Sequence, residues 1–141
     1  MTDLQGRFVC SGFNDSHMHL LSYGSSLSAA RLAAHTGSLK EMLQYFKQFK
    51  TAHPVPENGW LMGRGWNQDY FTDTDRMPDR HDLDQVSDTV LVCAVRACGH
   101  CLTVNTKALE FLGVTADTPQ PEGGRIGMDE NGPDGRFFDS A

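Results

Sequence analysis

The sequence has 141 residues. That is the length of one ordinary domain, enough for a packed core and short of the roughly 200 residues that a (β/α)8 barrel takes. Hydrophobic residues make up 39% and charged residues 21%, and 12 basic against 18 acidic side chains give a net charge of −6. This composition argues against disorder along the whole chain, and the absence of a basic cluster argues against a nucleic-acid face.

No apolar run approaches the roughly 18 residues of a membrane span, so no membrane partner is expected. The polar start Met1-Thr2-Asp3-Leu4-Gln5 lacks the basic and apolar regions of a signal peptide. A cytoplasmic protein with four reduced cysteines is therefore predicted.

In chain order, residues 7–20 read as an extended segment and Ser22 to Ala34 as a small-residue stretch of weak helical character. A helix is predicted over Ser38 to Lys50. Ser38 and Glu41 have the spacing of a capping box, and Leu39, Met42, Leu43, Phe46 and Phe49 form one apolar stripe. Trp60 to Trp66 reads as a strand whose glycines imply close packing on that face. Asp79 is a candidate N-cap for a short helix ending near Val86, and Thr89 to Ala97 is a nearly continuous apolar strand. Asn105 caps a helix over Thr106 to Leu112, with Gly113 at its C-terminal end. A β-hairpin closes the chain, with arms Arg125–Asp129 and Arg136–Asp139. The predicted class is α+β, a small mixed sheet with flanking helices and a C-terminal β-hairpin.

Three groups of residues invite chemistry. In Asp15-Ser16-His17-Met18-His19 a strand would turn both imidazoles to one side, where they suit a metal ion. Asp15 would share that side in a supporting role. The plain reading is a half-exposed polar strand. Cys98-Gly99-His100-Cys101 suggests a thiol–disulfide oxidoreductase, since C-x-x-C lowers the pKa of its first thiol. Ala97 stands before it where that family has Trp, and no long helix begins at Cys101. A zinc site from Cys98, His100 and Cys101, or plain packing at a strand end, are the other readings. Arg64-Gly65-Trp66-Asn67-Gln68-Asp69 would either line a ligand cleft or make an ordinary strand end. A non-catalytic ligand-binding domain with its pocket around Trp66 and His100 is a further alternative. His35, His53 and His81 are expected at the surface.

The segment Gly6 to His19, with Gly12-Phe13-Asn14-Asp15-Ser16-His17-Met18-His19 at its end, resembles the first barrel strand of the amidohydrolase superfamily. Gly63 to Gln68, Pro78-x-Arg80-x-x-Leu83-Asp84, Arg96 to His100, Asn105 to Glu110 with Gly113, Pro121 to Ile126, and Gly132-Pro133-x-Gly135 follow in order. They are similar to the YtcJ-like branch, the amidohydrolase family 3 type. Ser11 stands where that family usually has Pro, and the residues before Gly6 are too few for its usual β-sandwich.

The resemblance implies a metal-dependent hydrolase of amide or N-acyl C–N bonds, with a small-molecule substrate and a fragment of a TIM-barrel fold. Residues 1–24 would be the first barrel-type strand and residues 25–141 an inserted α+β domain. His17 and His19 would bind a divalent metal, zinc by donor preference, with Asp15 behind them. Trp66, Asn67 and His100 would face substrate. The later ligands and the general acid/base Asp of the family lie outside these 141 residues. The isolated chain is thus expected to be inactive, unless a homodimer completes the site.

Overall fold

The computed structural model describes residues 3, 5–14 and 19–141. Helices α1 (Leu20–Ser26), α2 (Leu39–Ala52), α3 (Arg80–Asp84) and α4 (Thr106–Leu112) surround one six-stranded sheet. The strands are β1 (Ala30–Arg31), β2 (Trp60–Trp66), β3 (Leu91–Arg96), β4 (Cys101–Val104), β5 (Gly124–Asp129) and β6 (Gly132–Asp139), in the order β1-β2-β3-β4-β6-β5. β1, β2 and β3 run parallel, whereas β4, β6 and β5 join by antiparallel pairing. The expected mixed sheet with flanking helices and a terminal hairpin is therefore present.

The apolar stripe of α2 makes the larger core. Leu39, Met42, Leu43 and Phe46 pack with Leu32, Leu61, Trp66, Val92 and Ala94. A Cβ on Gly63 would come within 2.7 Å of Leu32 and 2.8 Å of Phe46, so glycine lets this helix layer lie close on β2. On the other face α4 covers Leu91, Cys93 and Val104 with Ala108 and Leu109. It leaves an apolar hollow of about 720 Å³ beside Trp60, Met62, Leu102 and Phe137.

The caps show how short helices are held. Ser38 Oγ accepts the Glu41 N–H at 3.0 Å, but the Glu41 carboxylate pairs with His35 Nδ1 at 3.2 Å rather than closing the box. The Asp73 carboxylate instead accepts the Leu39 and Lys40 N–H groups from 34 and 33 positions away. Asp79 and Asp82 form a complete capping box on α3. Asn105 Oδ1 accepts the Ala108 N–H at 3.0 Å, and Gly113 adopts φ 67° at the end of α4.

The structure departs from these expectations in four places. Residues 7–14 belong to no strand, and Phe8 and Phe13 are exposed. None of the described strands pairs with that segment, and unpaired backbone is stable only in water. Leu20–Ser26 is helical. Cys101–Val104 is a strand, because β3 offers it a hydrogen-bonding edge at Cys93, Ala94 and Val95. The second arm of the terminal hairpin begins at Gly132, four residues earlier than expected, with Pro133 opposite Met128 and a bulge of β6 from Asp134 to Arg136 opposite Gly127.

Candidate active-site cleft

His19 is the N-cap of α1, and its carbonyl oxygen accepts the Tyr23 N–H at 2.9 Å. Tyr23 and Ser26 lie four and seven positions on, so the three side chains share one helix face. That face opposes Arg64 of β2 across a cleft of about 480 Å³. The other members of the expected metal-binding group, Asp15 and His17, lie outside the described residues.

β2 carries a bulge at its end. Arg64 pairs with Val95 and Trp66 with Arg96, which leaves Gly65 as an extra residue at φ 99°. Simple alternation would put Arg64 and Trp66 on the same face. The extra residue turns Trp66 into the core while Arg64 stays exposed. Trp66 has no exposed surface, and its indole N–H donates to the Ala94 carbonyl at 3.0 Å. It is placed to hold the strand end rather than to touch a molecule in the cleft.

Asn67 is half-buried and its side-chain oxygen is committed. It accepts from the Asp69 N–H at 3.2 Å and from Arg96 Nη2 at 2.9 Å. Arg96 also donates to Gln68 at 2.9 Å and to Asp69 at 3.2 Å, so one guanidinium gathers the whole loop after β2. Sequence reasoning did not single out Arg96 as this hub. The available signal was a lone arginine at the end of an otherwise apolar strand.

Cys98, Gly99 and His100 form the turn of the β3–β4 hairpin, with the Gly99 N–H donating to the Arg96 carbonyl at 3.0 Å. His100 is exposed, with Nδ1 3.5 Å from Asp139 Oδ1. Cys98 is exposed while Cys101 points into the core, and all four cysteines are free thiols. The Arg96 guanidinium and the His100 N–H hold the Cys98 thiol below its ordinary pKa. Burial pushes the Cys101 thiol up to about 11. The motif thus lies in a β-hairpin, not at a helix start, and Cys98, His100 and Cys101 do not converge as metal donors. Among the described residues no three His, Cys, Asp or Glu side chains are placed to hold a metal ion. No helix among them is long and apolar enough to cross a membrane.

The sequence pattern of the amidohydrolase family matches residues 1–135. The chain belongs to that family. It is 39% identical over 139 residues to the amidohydrolase-type protein YtcJ of Bacillus subtilis (strain 168), covering 98% of this chain and 26% of YtcJ. It is 28% identical over 141 residues to the N-substituted formamide deformylase of Arthrobacter pascens, covering 99% of this chain and 26% of that enzyme. A crystal structure of a metal-dependent hydrolase from Pyrococcus horikoshii OT3 superimposes with a TM-score of 0.59 at 29% identity, over 89% of this chain and 21% of that one. The amidohydrolase chain described here therefore spans about a quarter of the length of the relatives it matches.

A divalent metal is what such neighbours imply, and His19 tests the fit. An imidazole on the wall of an open cleft has the right donor chemistry. It is one contribution to a centre rather than a centre in itself.

Proposed function

We propose that this chain supplies one wall of the active site of a metal-dependent amidohydrolase that cleaves C–N bonds of small amides or N-acyl compounds. The observation that carries the reading is the position of His19. The family's H-x-H motif ends on a residue that lines a cleft large enough for a small molecule. Residues 1–24 are assigned to the first barrel-type strand region and residues 25–141 to the α+β layer beside it. In a TIM-barrel setting, neighbouring strands would give residues 7–14 the hydrogen-bonding partners that the described residues do not.

His17 and His19 would hold the ion, zinc by donor preference, with Asp15 orienting them. When bound, such an ion makes a hydroxide available near neutral pH and polarises the scissile carbonyl. The chain's own residues shape the approach. Arg96 fixes the Asn67 loop, Trp66 anchors it from the core, and His100 stands exposed on the adjoining turn. Asn67 and His100 are the substrate-facing positions in this reading. A cytoplasmic setting agrees with the free thiols. Two imidazoles alone hold metal weakly, so activity belongs to a centre completed by further donors, from a longer chain or from a homodimer.

The test is a Co²⁺ titration followed by visible absorption. Weak binding that disappears in both His17→Ala and His19→Ala is expected. Binding undiminished in either variant would sink the assignment.

A further inference from the structure

We propose that the cleft between α1 and β2 is a carboxylate subsite centred on the Arg64 guanidinium. The substrate would then carry a carboxylate near the scissile amide, as an N-acyl amino acid does. Its role in a substrate rests on the hydrolase reading above, whereas the anion site stands on its own geometry.

Several observations converge on Arg64. It is exposed on the cleft side of β2, and no hydrogen bond or ion pair reaches it among the described residues. Three arginines elsewhere in the fold are tied to carboxylates: Arg76 to Asp79 and Asp82, Arg96 to Asp69, and Arg136 to Asp134. The chain has 18 acidic side chains and a net charge of −6. Even so, the described lining of this cleft is His19, Tyr23, Ser26 and Arg64, with no carboxylate among them. A guanidinium offers a rigid fork of donors that matches a carboxylate in two parallel hydrogen bonds.

The surroundings favour the same ligand. The Ser26 hydroxyl donates to the Tyr23 carbonyl at 2.6 Å, which fixes that helix face beside the cleft. On the opposite side, a Cβ built on Gly99 would lie 3.8 Å from Arg64 Nη2, so the β3–β4 turn backs the guanidinium without bonding to it. Arg64 lies toward the C-terminal end of a parallel strand, where ligands collect in open α/β sheets. The subsite opens next to His19, so a molecule anchored by its carboxylate would present its amide toward that imidazole.

The experiment uses the isotope-labelled chain with chelator present, followed by NMR. N-acetylglycinate is titrated against N-acetylglycinamide, which has nearly the same size and no charge. The carboxylate should saturably shift the Arg64 Nε–Hε signal and the Tyr23 and Ser26 amides. The amide ligand should bind about tenfold more weakly or worse. Arg64→Gln should lose the preference. Equal binding of the two ligands, or an Arg64 signal that does not move, would overturn the subsite. The Arg64 signal of the unsubstituted chain decides the matter even if the variant folds poorly. No metal is involved, so this result and the Co²⁺ titration fail independently.

Discussion

Trp66 donates its indole N–H to the Ala94 carbonyl oxygen across the β2–β3 pair, at 3.0 Å and in full burial. The largest side chain of the core is therefore tied to the neighbouring strand just before the loop that carries Asn67. Trp66→Phe keeps an aromatic ring but takes that donor from a buried carbonyl. A loss of about 1–3 kcal/mol is expected, read as a lower midpoint in urea unfolding with an unchanged slope.

Gly65 makes the bulge that separates Arg64 from Trp66. Its φ is 99°, and a Cβ there would come within 2.8 Å of the Ala33 Cβ. Gly65→Ala faces both an unfavourable backbone conformation and a clash. It should cost about 2 kcal/mol or more. Thermal melting measures the loss. Indole fluorescence shows whether Trp66 has left its buried site.

Asp73 reports on α2. The Lys40 N–H above all holds its carboxyl below its ordinary pKa; burial opposes this, and the Leu39 N–H adds to the lowering. A carboxylate whose folded pKa is lowered adds stability above the unfolded value, near 3.9. That contribution is lost as pH falls through the lowered folded value. Wild type should be more stable than Asp73→Asn at neutral pH, and the two stability curves should converge in acid. Parallel curves through the acid range would show that the cap carries no charge-dependent stability.

The thiols should separate by reactivity. Cys98 is exposed, and its pKa is lowered first by the Arg96 guanidinium and then by the His100 N–H. Burial pushes Cys93 up to about 12 and Cys101 up to about 11. Iodoacetamide near neutral pH should label Cys98 well before Cys101 or Cys93, because the thiolate is the nucleophile. Arg96→Gln should slow the Cys98 reaction at that pH. Peptide mass spectrometry distinguishes the sites.

Much of the fold was legible because its signals are local. The apolar stripe from Leu39 to Phe46, the caps at Ser38, Asp79 and Asn105, and Gly113 at φ 67° each act within one or two helical turns. What was missed depends on a distant partner. Cys101–Val104 is a strand because β3 lies beside it, and residues 7–14 are not one because no described strand does. The Glu41 side chain had two partners within reach and took His35, leaving the distant Asp73 to finish the cap.

By itself the sequence determined the family motifs, the residue chemistry and the capped starts of α2, α3 and α4. Only the tertiary structure decided which side of β2 each residue faces. One glycine at φ 99° shifts the two-residue alternation of the strand, placing Trp66 in the core and leaving Arg64 in the cleft opposite His19. Alternation along a strand is a property of its own backbone. A bulge is settled by the strand beside it, and pairing between β2 and β3 joins segments some thirty residues apart.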